Sequence, residues 1–401
     1  MIKKIIFILP YPFKSIGYLP VATGILRNNG FESEIWDISP LLNITYDDQK
    51  LNRNEINFDS VKIFNQKRKL IQAILNLDEH CLVNCFIKLC TDSFFIYRAL
   101  SKRGIKYCGL QMTGLPNPIN QEKMSPTSIN NFFGRIFSLN FTDISNHFFN
   151  KILFKYYFFF GIKAADIILL GGEKSLENKI YPIDNNTRLL WAHSFDYDFY
   201  IQIKNQIALS DTSPCVFLDE YLPFHPDLQD IGIGSPVSSD EYYPKLCKFF
   251  DYIEHEFHVR IIIAAHPKSN YEETSDFFQG RTVIKGDTAR LVKDSSFVIA
   301  HMSTSINFAV LFKKPILFAT MDKLQKLKTG KFIPGLYIEK MASELMTTPI
   351  NIDHFHDLNQ DKIIHVNNVA YNTYKTNYIK KDGTPELPFW EIFSLYCQRL
   401  N

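Results

Sequence analysis

Apolar runs four to eight residues long, broken by polar turns and amphipathic stretches, recur along most of this chain. Lys3 to Leu9 is such a run and predicts a buried strand. Gly17 to Asn29 places Ala22, Ile25 and Leu26 on one helical face, with Gly30 where a helix would stop. Phe31 to Ile38 predicts a second strand. Further on, His80 to Leu89 and Ile105 to Gln111 predict strands flanking a helix over Phe94 to Arg103, and Ala164 to Gly171 a short strand closing that half. Leu41 to Asp78 is charged and predicts helical surface. Thr187 to Tyr200 reads as an exit and linker.

The pattern restarts at Ser213. CVFL predicts a strand, Asp240 to Phe257 a helix, and Val259 to Ala265 a strand ending at His266-Pro267. Thr274 to Phe278 is expected to be helical, Arg281 to Lys285 a short strand and Thr288 to Val292 a helical turn. Phe297 to His301 predicts a strand whose exit, Ser303-Thr304-Ser305, opens a helix; Lys314 to Phe318 is the next strand. Pro388 to Arg399 predicts a final amphipathic helix. Alternating strands and helices in both halves imply parallel sheets, hence an α/β protein of two Rossmann-like domains. The expected division is 1–195, 196–360 and a C-terminal helical segment, 361–401, packing back toward the first domain.

Composition narrows the classes. A length of 401 residues and 46% hydrophobic content suffice for two cores, and a net charge of +2 gives no general attraction for nucleic acid. The seven cysteines are odd in number, and C-x3-C-x4-C (Cys81, Cys85, Cys90) matches no common zinc or iron–sulfur spacing; reduced core thiols are expected. The opening MIKKIIFILPYPF is too short an apolar run for a signal peptide and is stopped by Pro10 and Pro12. No stretch reaches the roughly 18 apolar residues of a membrane span. The chain is unusually aromatic, with 35 Phe and 20 Tyr. In 131–163 the aromatics interleave with Arg135, Lys151, Lys155 and Lys163, a pattern that fits a membrane interface or packing between domains. A cytoplasmic protein, with peripheral contact at the inner membrane, is the expected location.

In open parallel sheets ligands bind at the C-terminal ends of strands. His266 follows an apolar run at such an end, where an imidazole can donate a proton or hydrogen bond to a leaving phosphate; Lys268 adds charge and Pro267 fixes the exit. Ser303, Thr304 and Ser305 would stand at a helix start, where hydroxyls and unpaired N–H groups suit an anion; alone they read as a plain cap, and it is their pairing with His266 that favours the anion. Gly286, Asp287 and Thr288 fall at the same edge and could hold a base or ribose. Asp219 and Glu220, with His225 and Asp227 behind them, could furnish a general base, metal ligands or merely an acidic turn. Asp92 is a rival carboxylate or the N-cap of the Phe94 helix. Gly17 and Tyr18, in the loop after the first strand, are candidate acceptor-side residues; that loop lacks GxGxxG, so no dinucleotide cofactor is expected.

At His266-Pro267 and Ser303-Thr304-Ser305 the chain resembles GT-B glycosyltransferases that use CMP-activated 2-keto sugars, the bacterial sialyltransferases, polysialyltransferases and Kdo or nonulosonate transferases. The resemblance implies a ligand cleft between two Rossmann-like domains and a C-terminal crossing helix. It also implies metal-independent single displacement, without cofactor, from a CMP-sugar onto a glycan or lipid-linked acceptor of a surface polysaccharide. His266 would then face the departing phosphate, the Ser/Thr turn would hold its oxygens, and Asp219 or Glu220 would take the acceptor proton. The acidic pair is followed by Tyr221 rather than the family's Gly. Alternatives are a UDP- or GDP-sugar transferase or epimerase of the same fold, and a non-catalytic polysaccharide-assembly protein. A cobalamin or radical enzyme, suggested by GYLPVATGILRNNGFESEIWDI, lacks its cluster cysteines.

Overall fold

The computed structural model describes residues 1–13, 18–42, 60–112, 114–118, 149–177, 179–207, 213–225, 234–271, 276–326, 333–356, 358 and 364–400. They form two compact units. The first comprises the described residues of 1–113, 123–193 and 383–401, and the second those of 114–122 and 194–382. Both are α/β with a fully parallel sheet, as the alternating pattern predicts.

In the first unit the strands are β1 (Lys4–Leu9), β2 (Glu32–Asp37), β3 (Val61–Ile63), β4 (Cys81–Cys85), β5 (Lys106–Gln111), β6 (Ile167–Leu170) and β7 (Arg188–Trp191), in the order 3-2-1-4-5-6-7. Burial on both faces, as in β1 and β4, explains why these strands read as continuous apolar runs. The helices α1 (Leu19–Asn28), α2 (Lys67–Leu75) and α3 (Phe94–Arg103) cover the sheet. α3 ends on Gly104 at φ +75°, the left-handed stop that glycine permits. In β5 a Cβ on Gly109 would lie 2.7 Å from the ring of Tyr181, whose hydroxyl donates to the Cys85 carbonyl at 3.0 Å. The position therefore requires glycine for close approach.

The chain departs from expectation in several places. The stretch predicted as helical surface between Leu41 and Asp78 contains β3 as well as α2; its residues 43–59 lie outside the described ones. The expected linker from Thr187 contains β7, an edge strand with its first two residues exposed, so it carries no buried apolar run. The expected helix at Thr274 lies partly outside the described residues, and 276–280 form no helix.

The second unit contains β8 (Cys215–Leu218), β9 (Ile261–Ala265), β10 (Val283–Lys285), β11 (Phe297–Ala300), β12 (Ile316–Thr320) and β13 (Ile350–Asn351), ordered 10-9-8-11-12-13. Its helices include α4 (Phe195–Ile203), α5 (Ser239–Phe257), α6 (Thr288–Asp294) and α7 (Ile306–Leu311). β8 is the first strand of its unit and lies between β9 and β11, with Leu218 opposite both Ala264 and Ala300. The order reverses between β8 and β11, and that is the topological switch point where a crevice opens. The last helix, α8 (Phe389–Arg399), belongs to the first unit and packs on α1, with Gln398 donating to the Asn29 carbonyl at 3.0 Å.

Candidate active site

Three strand exits converge at the switch point of the second unit. β8 leads into Asp219-Glu220, β9 into His266, and β11 into His301-Met302-Ser303. Neighbouring strands lie about 4.8 Å apart, so the exits of β9 and β11 stand on the order of 10 Å from each other with the acidic pair between them. His266 and Ser303 thus occupy strands one removed from each other.

The acidic pair is buried, with Asp219 4% and Glu220 6% exposed. Asp219 Oδ1 accepts from the Tyr221 N–H at 3.0 Å. Its Oδ2 accepts from the Tyr271 hydroxyl at 2.9 Å and, at 3.4 Å, from the His266 N–H. Glu220 Oε1 accepts from the Met302 N–H at 2.6 Å. One carboxyl group therefore ties β8 to the exit of β9, and the other ties it to the exit of β11. Burial pushes the Asp219 carboxyl up to about 6, partly offset by these donors. Burial, with the Asp219 charge adding to it, pushes Glu220 up to about 8. Tyr221, directly after the pair, adopts φ +55°, a left-handed conformation that costs a tyrosine free energy and that the Asp219 bond to its N–H supports.

His266 is half-buried. Its Nδ1 accepts from the Lys268 N–H at 3.1 Å, and the Ser269 N–H donates to its carbonyl at 2.9 Å. With Nδ1 serving as acceptor, the neutral ring carries its proton on Nε2, which makes Nε2–H a donor. The His225 ring lies 5.2 Å from the His266 ring, centroid to centroid. Pro267 and Lys268 are exposed on the turn. Gly286, at φ +88°, and Asp287 follow β10 at the same sheet edge, and Lys285 Nζ donates to the Ser269 carbonyl at 2.6 Å, tying that exit to the His266 turn. Thr288 begins α6.

The Ser303 turn differs from expectation in one respect. Part of its N–H set is already engaged: Ser305 N–H donates to Ser303 Oγ at 3.2 Å, Ile306 N–H to Ser303 O at 3.3 Å, and Asn307 N–H to Thr304 O at 3.1 Å. A tight turn at the start of α7 consumes these three donors. What remains toward a ligand is the hydroxyls of half-buried Ser303 and Ser305 and exposed Thr304, together with the N–H groups of Ser303 and Thr304. Beneath the turn His301 is fully buried. It bonds through Nδ1 to the Ala319 carbonyl at 2.6 Å and through Nε2 to the Tyr242 hydroxyl at 2.9 Å, and burial lowers it to about 4, so it stays neutral.

Sequence reasoning missed Tyr271, Tyr243 and His301. Tyr271 links Asp219 to Tyr243, hydroxyl to hydroxyl at 3.0 Å, and no spacing signals that contact. The remaining candidates lie in the first unit and do not join this cluster. Asp92 is exposed before α3; the cap position belongs to Ser93, whose hydroxyl donates instead to the Lys88 carbonyl at 2.6 Å, so the expected Asp92 cap is not formed. Tyr18 packs among aromatic rings, 6.3 Å from Trp390 and 6.1 Å from Phe86. Gly17 and Asp227 lie outside the described residues. All seven cysteines are free, with Cys81 and Cys85 in the β4 core. Among the described residues no group of three or more His, Cys, Asp and Glu side chains is arranged to hold a metal ion.

No family model and no curated protein matches the chain. Solved structures similar to it include the UDP-GlcNAc 2-epimerase from Methanocaldococcus jannaschii, at 10% identity and a TM-score of 0.47 over 99% of this chain and 100% of that one. The glycosyltransferase SnogD from Streptomyces nogalater matches at 6% and 0.49 over the whole of both chains. Anabaena Alr3699/HepE, in complex with UDP and glucose, matches at 12% and 0.44 over 99% of both. At such scores the likeness carries nothing about activity.

Proposed function

We propose that the chain is an enzyme acting on a nucleotide-activated sugar, with the nucleotide phosphate bound at the switch point of the second unit and the sugar passed to a glycan or lipid-linked acceptor. The observation that supports this is the convergence of the His266 and Ser303 exits on the two strands flanking β8. In this reading His266 Nε2–H meets the departing phosphate oxygen, and Lys268 supplies charge. Ser303, Thr304 and Ser305 offer hydroxyl donors, and Gly286 to Thr288 line the edge for the base or ribose. The motif pair favours CMP and a 2-keto sugar, displaced in one step without cofactor or metal.

We read the acidic pair in a different role from the one expected of it. A group pushed up to about 8 holds its proton at neutral pH, and both carboxyl groups spend oxygens on backbone donors. We assign Asp219 and Glu220 to bracing the two exits, and seek the base for the acceptor hydroxyl outside the pair. One observation favours a second reading, a UDP- or GDP-sugar transferase or epimerase. Two adjacent carboxyl groups with different proton affinities can divide acid and base roles.

Thermal unfolding with CMP, UDP and GDP separates the readings, because a ligand at about 100 times its Kd stabilises by roughly 2.7 kcal/mol. A rise of several degrees with CMP alone supports the first reading, and one with UDP or GDP the second. No rise with any of them, together with no donor hydrolysis, refutes both. His266→Ala should lower turnover by about a hundredfold or more at unchanged melting temperature; unchanged turnover would remove His266 from the chemistry.

A further inference from the structure

The first unit carries a feature that the sugar-nucleotide reading does not use. Residues 149–155 are helical and lead into a tight turn over Tyr157–Phe160 that stops on Gly161 at φ +73°. This knob is anchored from beneath. Leu153 and Ile162 are buried, Phe160 meets Phe94 edge-on at 6.1 Å, and the Tyr107 hydroxyl donates to the Lys163 carbonyl at 2.6 Å. Its outer side is apolar and uncovered. Phe159 is 75% exposed, Phe158 59%, Phe149 42% and Tyr156 39%, and the Phe158 and Phe159 rings lie 3.9 Å apart. Two adjacent phenylalanines held outward on a fixed turn are costly in water.

The charge around the knob is predominantly basic, although exposed Asp166 and Asp184 lie beside Tyr157, Phe158 and Lys163. Described residues 149–163 contain Lys151, Lys155 and Lys163, all exposed, and no acidic side chain. Lys102 and Arg103, in the last turn of α3, adjoin Lys163, whose N–H donates to Ser101 Oγ at 2.8 Å. The placement is also defined. The segment precedes β6 and is tied to the start of β5, so it stands at the N-terminal edge of the sheet, opposite the edge where the strand exits lie. Among the described residues no helix is long and apolar enough to cross a membrane.

We infer that this knob docks on an anionic lipid bilayer, with Phe158 and Phe159 entering the interface and Lys151, Lys155 and Lys163 meeting the headgroups. Exposed aromatic side chains among an excess of basic over acidic ones, Lys102, Arg103, Lys151, Lys155 and Lys163 against Asp166 and Asp184, match that surface in both polarity and charge. The inference does not depend on which nucleotide is bound.

The test is sedimentation of the full chain with vesicles of phosphatidylcholine alone and of phosphatidylcholine with about a third phosphatidylglycerol, a proportion that gives the surface an anionic potential. The wild type should bind the anionic vesicles and release as salt rises. Lys151→Gln with Lys155→Gln should weaken binding about thirtyfold, about fivefold for each charge. Phe158→Ser with Phe159→Ser should weaken it by at least tenfold on both vesicle types. All four side chains are exposed, so an unchanged circular dichroism melt certifies the fold. Equal binding by the wild type and the phenylalanine variant overturns the inference, as does no binding by the wild type. A wild type that self-associates on size exclusion and becomes monomeric with Phe158→Ser and Phe159→Ser, without vesicle binding, assigns the knob to a second copy instead.

Discussion

Glu220→Gln should change the pH dependence of stability more than stability itself. In the folded protein the Glu220 carboxyl is pushed from its ordinary 4.5 to about 8, chiefly because burial penalises the charge and secondarily because Asp219 lies beside it. A carboxyl with a folded-state value above its unfolded one binds its proton more tightly when folded. Its contribution is fully present below about pH 4.5 and is lost as pH rises through about 8. At about 1.4 kcal/mol per tenfold change in affinity, the ceiling on that loss is roughly 5 kcal/mol. Relaxation and entry of water would reduce the measured loss to a few kcal/mol.

The glutamine keeps a carbonyl for the Met302 N–H and cannot ionise. Urea midpoints measured from pH 5 to pH 9 should therefore be similar for the two proteins near pH 5, diverge steadily as pH rises from there, and hold a constant difference above about pH 8, with the variant the more stable at pH 9. Asp219, raised to about 6, and His301, lowered to about 4, titrate in both proteins and cancel in the difference. Parallel profiles would show that Glu220 ionises in the folded state without penalty, and would return it to the list of candidate bases.

The other expectations are simpler. Tyr271→Phe removes the hydroxyl between Asp219 and Tyr243 and should cost about 1–3 kcal/mol in urea unfolding; no change would mean that water replaces it without loss. Ser303→Ala removes a hydroxyl that a phosphate would use and should weaken nucleotide binding about tenfold by calorimetry, with little effect on melting; unaltered affinity would place the phosphate elsewhere. Gly109→Ala drives a methyl into the Tyr181 ring and should lower stability by roughly 1–3 kcal/mol; a neutral result would mean that the ring can move away while keeping its bond to Cys85.

What was legible in the sequence follows from burial. Strands covered on both faces, such as IIIAA of β9 and CVFL of β8, announce themselves as unbroken apolar runs, and their C-terminal ends point to the crevice. Edge strands do not. RLLW of β7 exposes its first two side chains, and VKI of β3 is only three residues long, so both were hidden in stretches predicted as linker and helix. Tertiary hydrogen bonds were equally hidden: nothing about DEY in a strand exit says that the carboxyl groups turn inward to the neighbouring exits. Likewise, Ser303-Thr304-Ser305 announces a helix start but not that its turn consumes the N–H groups of Ser305, Ile306 and Asn307.

These two surprises bear on each other. A phosphate site built on vacant N–H groups would need little else to hold its shape, because the helix start itself would define it. Here the turn has used the N–H groups of Ser305, Ile306 and Asn307, and the site would rest on the Ser303 and Thr304 N–H groups, hydroxyls ahead of a six-residue helix and an imidazole on another strand. Such groups act together only if their strand exits are fixed relative to each other. The acidic pair does this, with Asp219 on the His266 N–H and Glu220 on the Met302 N–H, one residue before Ser303. Buried carboxyl groups are an expensive way to brace a turn. Bracing from one strand to both neighbours at the switch point accounts for the backbone hydrogen bonds that both carboxyl groups make.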